Sequence, residues 1–175
     1  LEVKDKNGAT PLIHAAANGH LECLKELLLK GVDLEAKNEN GMTALMLAAL
    51  SGETECLNEL LLKGAEKNAK SESGFTALMI AAGQGKTECL KKLLDYKVNI
   101  ETKNNYGLTA LMVAASHEET ECLKILLDNG ANYDHNIFEI AVENSDTKCL
   151  EKLLSQVPEA LKIKNIVFVL GTSIK

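Results

Sequence analysis

The chain has 175 residues, a formal net charge of −6 and 19 basic residues, every one of them lysine. Arginine supplies the planar fork that reads phosphates and guanine edges, so its absence argues against nucleic-acid recognition. No apolar run approaches the length of a membrane span and no leader-like segment is seen, so membrane insertion is not expected.

In chain order, Leu1-Glu2-Val3-Lys4 aligns with Leu34-Glu35-Ala36-Lys37, so the sequence reads as starting inside the finger of an upstream unit, within a longer array. Asp5-Lys6-Asn7-Gly8 follows, with an Asx residue at the first turn position and Gly at the fourth, the pattern of a type I turn. Thr10 is a good N-cap and Pro11 suits the first helical position, where its missing N–H costs nothing. A short helix is expected over residues 12–18, with small Ala15 and Ala16 permitting close backbone approach, and Gly19 ends it. A second helix is expected over 21–29, with Cys23, Leu24, Leu27 and Leu28 on one face and Gly31 as its left-handed stop.

The unit then recurs. Cys23, Cys56, Cys89 and Cys122 are equally spaced, 33 residues apart, as are Thr10, Thr43, Thr76 and Thr109. The Ala-Ala pairs at 15, 48, 81 and 114 keep the same step, as do the turns opening at Asn38, Ser71 and Asn104. A constant period of this length means one supersecondary unit stacked on copies of itself. The third unit departs at one place: Lys97 stands where Gly31, Gly64 and Gly130 end the other second helices.

Turn, Gly-x-Thr-Pro-Leu, helix, Gly-His, helix, Leu-Leu-x-x-Gly: the pattern resembles the ankyrin repeat from residue 1 to about residue 154. The resemblance implies an all-α solenoid of paired antiparallel helices with β-turn or hairpin fingers, forming a single array. On this reading, residues 1–4 are the tail of a finger, and 5–37, 38–70, 71–103 and 104–134 are full repeats. The family's His after Thr-Pro-Leu is replaced by Ile13, Met46, Met79 and Met112, and His14 lies one place too late to substitute for it. Residues 135–157 form a degenerate repeat that has lost its finger, with Asn136 at the Thr register and Ala141-Val142 in place of Ala-Ala. Beyond Pro158, residues 158–175 are either a cap or a truncated sixth repeat.

Five cysteines raise the question of a disulfide framework or a metal cluster. Equivalent positions in stacked helices lie about 8–10 Å apart, beyond the ~7 Å limit for a Cα–Cα bridge. Buried core thiols are therefore expected, with no metal and no cofactor, in a reducing intracellular compartment of the producing cell or of a host. His14, His20, His117 and His135 fall at different repeat positions, and no Ser-His-Asp or Cys-His order, HExxH or phosphate loop is present. Gly83-Gln84-Gly85-Lys86 is the inter-helix turn rather than a phosphate cradle. No enzymatic activity is expected. The lysine row Lys4, Lys37, Lys70 and Lys103 reads as a solvated rim, with an acidic-ligand site as its alternative.

The resemblance implies that the residue before each Thr, the turn residues and the pair after Ala-Ala face a concave groove. Met42, Phe75 and Leu108 occupy one equivalent position in three consecutive units, with Leu50, Tyr106 and His117 nearby. A contiguous apolar patch of this kind marks a binding site. The expected function is a non-catalytic, monomeric interaction scaffold that binds a protein or peptide through repeats two to four. A rigid spacer or targeting module within a larger enzyme, effector or channel is the alternative.

Overall fold

The computed structural model describes residues 2–133, 135–143 and 147–156. Among these residues ten helices follow in pairs: α1 (Pro11–Ala17) and α2 (Leu21–Leu29), α3 (Ala44–Ser51) and α4 (Thr54–Leu62), α5 (Ala77–Gly83) and α6 (Thr87–Asp95), α7 (Ala110–Ser116) and α8 (Thr120–Asp128), and α9 (His135–Glu143) and α10 (Thr147–Gln156). The proposed cap or sixth repeat at 158–175 lies outside the described residues. The helix α9 begins one residue before Asn136, so that residue lies inside the helix rather than capping it.

Local sequence sets each first helix. Thr10, Thr43, Thr76 and Thr109 sit in extended backbone, and each hydroxyl accepts from the amide three residues on, at 3.4, 3.5, 3.3 and 3.4 Å. Those amides belong to Ile13, Met46, Met79 and Met112, whose side chains are buried. The apolar replacements for the family's histidine therefore serve the core.

First helices stack in one row and second helices in another. Ala16, Ala48, Ala49, Ala81, Ala82 and Ala114 are completely buried, which places the first-helix backbones side by side. Behind them Leu57, Leu60, Leu90, Leu93, Leu123 and Leu126 are also fully buried. Each second helix thus lays an apolar face between its own first helix and the neighbouring pair. One repeat alone could not bury that face.

Among the described residues the fingers are turns, and no strand is formed. The hairpin expectation reduces to single bonds between neighbours: Glu39 N to Asn7 O at 3.0 Å, Glu72 N to Asn40 O at 3.2 Å and Asn105 N to Ser73 O at 3.1 Å. One main-chain bond per junction does not make a ladder. The approach is close nonetheless, and Gly41 and Gly74 permit it. A Cβ on Gly41 would lie 2.7 Å from Glu72 N, and one on Gly74 would lie 2.7 Å from Asn105 N.

Side chains supply the rest of the finger-to-finger contact. The lysine row is a chain of braces rather than a free rim. Lys4 Nζ donates to Lys37 O at 2.8 Å, Lys37 Nζ to Lys70 O at 2.9 Å and Lys70 Nζ to Lys103 O at 2.7 Å. A second row runs beside it, with Glu2, Glu35, Asn68 and Glu101 accepting from the amides of Asp33, Glu66, Asn99 and Asn132. Each such bond satisfies an orphan backbone group of the next repeat.

Among the described residues two non-glycine residues have left-handed backbone, Lys97 with φ 56° and Glu118 with φ 60°. Lys97 ends the second helix of its repeat as its register predicts. Glu118 stands at the inter-helix turn that Gly19, Gly52 and Gly85 serve elsewhere, and the sequence reading missed it. A Cβ-bearing residue costs about 1 kcal/mol or more in this conformation. Lys97→Gly should therefore raise the unfolding midpoint, by about 1 kcal/mol of stability. A lowered midpoint in denaturant would contradict the assignment.

Candidate functional site

Of the residues singled out as a binding face, Met42, Phe75, Tyr106 and Leu108 belong to the turns, and Leu50 and His117 lie at or just past the ends of first helices. Each turn is built on its first residue. Asp5 Oδ1 accepts from the amides of Asn7 and Ala9, both at 2.8 Å. Asn38 does the same for Asn40 and Met42 at 3.0 and 2.9 Å, and Asn104 for Tyr106 and Leu108, both at 2.9 Å. Ser71 accepts from Phe75 at 3.1 Å. The amides so fixed include those of Met42, Phe75 and Leu108, which sets where these three side chains begin.

The second functional atom of the turn residue differs along the array. In the first repeat Asp5 Oδ2 lies 2.9 Å from His14 Nε2, a contact the sequence reading did not anticipate. Amide bonds from Ala9 and Asn7, and then His14, hold the Asp5 carboxyl below the ordinary carboxylate range. In the fourth repeat the residue at His14's register is Val113, and Asn104 Nδ2 is buried with no hydrogen-bond partner.

Met42, Phe75 and Leu108 are each half-buried and pack against the core, so the three side chains both support stacking and present a surface. Met42 and Phe75 share a depression of about 330 Å³ with Ile80 of α5. Its rim is polar, from Asn40, Ser71, Glu72 and Ser73. Tyr106 is 71 % exposed and meets Phe75 edge-on, with ring centroids 6.5 Å apart and planes at 62°. Leu108 lies outside that depression. Leu50 is half-buried at the end of α3, and His117 is exposed just past α7.

His117 Nδ1 lies 3.0 Å from Val113 O. Ser116 Oγ lies 3.0 Å from the same nitrogen. Gly83 lies beneath this ring: a Cβ there would fall 2.7 Å from Val113 Cγ1 and 3.6 Å from His117 Nδ1. Gly83 and His117 therefore meet at the helix ends, while Met42, Phe75 and Tyr106 belong to the turns.

Cys56, Cys89 and Cys122 are buried and form no disulfide among the described residues. Burial pushes the Cys56 and Cys89 thiols up, and burial with Glu119 and Glu121 pushes Cys122 up to about 11. Raised thiols are poor nucleophiles. Cys89 Sγ also lies 3.4 Å from Thr54 Oγ1 of the preceding repeat. Cys23 departs from the expected buried ladder. It is exposed on α2. The side chain of Cys149 lies outside the described residues. Among the described residues no group of three or more His, Cys, Asp or Glu side chains is placed to hold a metal ion. Among them, too, no helix is long and apolar enough to cross a membrane.

Stacked helix pairs, capped by Thr and linked through turns, define an α-solenoid whose turn face carries half-buried apolar side chains. The family model for ankyrin repeats (3 copies) matches residues 1–71, 55–137 and 78–165, and the chain belongs to that family. Its members serve generally as protein-interaction modules. No curated protein matches the chain.

The contrast among thiols is testable. In the native state Cys23 should react readily with a thiol reagent, while Cys56, Cys89 and Cys122 should react only as fast as the array opens. Rapid native-state labelling of any of these three, read by mass spectrometry after digestion, would contradict their placement.

Proposed function

We propose that the protein is a non-catalytic scaffold that binds a protein or peptide on the concave, turn-bearing face of repeats two to four. The observation that carries this reading is the row Met42, Phe75 and Leu108, extended by the exposed ring of Tyr106 against Phe75. Partly buried aromatic and aliphatic side chains on a stacked, immobile base have little rotamer freedom left to lose on binding. Aromatic anchors also dominate the energetics of known interfaces. The reduced thiols favour an intracellular site of action, in the producing cell or a host. The lysine row is a weaker candidate for ligand binding, because three of its ammonium groups already brace carbonyls of the next repeat.

Phe75 should be the anchor. Truncating a desolvated aromatic costs about 2 kcal/mol or more, so Phe75→Ala should weaken partner binding roughly thirtyfold or more. Smaller losses are expected for Leu108→Ala and Tyr106→Ala, and little change for Glu59→Lys or Lys92→Glu on the second helices. Isothermal titration of a partner captured with the native chain reads the effect, with circular dichroism confirming the fold. Normal binding by a folded Phe75→Ala protein, together with loss of binding on a second-helix change, would place the partner on the opposite face.

A further inference from the structure

The depression at the second and third turns has a one-sided charge. Glu72 forms part of its rim, and Glu39 occupies the equivalent turn tip one repeat earlier. Both are exposed, and neither carboxylate takes part in an ion pair or a side-chain hydrogen bond among the described residues. The nearest lysines in sequence, Lys37 and Lys70, have their ammonium groups bonded to the carbonyls of Lys70 and Lys103. No basic side chain lines the depression itself. Its floor is Met42, Phe75 and Ile80, while Asn40, Ser71 and Ser73 add neutral polar groups at the edge.

We infer that this depression takes a peptide segment of another protein that sets a large apolar side chain on Met42 and Phe75 and a lysine or arginine beside Glu72. The inference rests on the concave-face reading above and adds the chemistry of the partner. Charge complementarity selects it. An acidic segment would meet Glu72, Glu39 and a chain of net charge −6, whereas a basic side chain gains a charge-assisted bond to a carboxylate that lacks an internal partner. The apolar floor supplies the anchor, and the amide and hydroxyl groups of Asn40, Ser71 and Ser73 can both donate to and accept from a peptide backbone. Glu72 is held in place by its own backbone: its amide donates to Asn40 O at 3.2 Å, and its carbonyl accepts from Asn105 Nδ2 at 2.8 Å. The carboxylate is thus fixed at its root and free at its tip.

A phage-displayed library of random linear peptides, selected against the full chain, supplies the probe. Selected peptides should carry lysine or arginine within a few residues of an aromatic or large aliphatic residue. For one such peptide, measured by fluorescence anisotropy, Glu72→Gln should weaken binding about tenfold and flatten its dependence on salt. Glu55→Gln on α4 should leave binding unchanged. Acidic or uncharged consensus peptides, an unaltered affinity for Glu72→Gln, or no enrichment at all would overturn the inference. If Phe75→Ala abolishes binding while Glu72→Gln does not, the concave face stands and the basic specificity falls. If neither matters and Glu55→Gln does, the face itself is wrong.

Discussion

Everything in this molecule depends on the burial of each helix pair's face by the pair beside it. The thiol and leucine face of a second helix is covered in part by its own first helix and closed off by the neighbouring repeat. Cys56, Cys89 and Cys122, at one position type in three consecutive repeats, are all buried by this stacking. Fully buried alanines in the first-helix row set the separation of repeats, and the turns then fall at a fixed spacing. The half-buried row of Met42, Phe75 and Leu108 is a product of that spacing. The proposed binding face is therefore built by the stacking, and its shape cannot vary independently of it.

Polar contacts refine the register rather than create it. Lysine-to-carbonyl bonds join successive fingers, and a parallel row of carboxylates and one amide receives backbone N–H groups from the next repeat. These exposed bonds are individually worth little, because water competes for every group involved. Their value lies in direction. A finger one residue out of register would lose the carbonyl its lysine reaches and the acceptor its amide finds. The sequence places the same side chains at each step, so the correct register is the one in which every row is satisfied together.

Local features were readable from the residues alone. Thr caps, turn residues, the glycine stops and the left-handed Lys97 each depend on a few neighbouring positions, and the structure has them where the spacing puts them. What escaped was non-local or needed a neighbour's identity. That Lys37 reaches Lys70 O, that Asp5 meets His14 and that Asn104 Nδ2 faces no partner all depend on residues brought together by folding. Glu118 was missed for another reason: its turn register is read from Gly19, Gly52 and Gly85, and its own side chain gives no sign of φ above zero. Of the candidate site, the equivalence of Met42, Phe75 and Leu108 was legible from the period. The edge contact of Phe75 with Tyr106, the separation of Leu108 from the depression and the unpaired carboxylate of Glu72 were not.

Close alanine packing between neighbouring repeats holds the array and its proposed binding face together. Ala81 in α5 is completely buried within the first-helix row, and a larger side chain there must push that row apart. Overpacking of this kind costs about 1–3 kcal/mol. Equilibrium unfolding of Ala81→Leu in urea, followed by circular dichroism, is the most direct measurement. A midpoint lowered by that amount, with faster amide exchange in both the second and third repeats, is the result this account predicts. An unchanged midpoint with exchange altered only around residue 81 would contradict it.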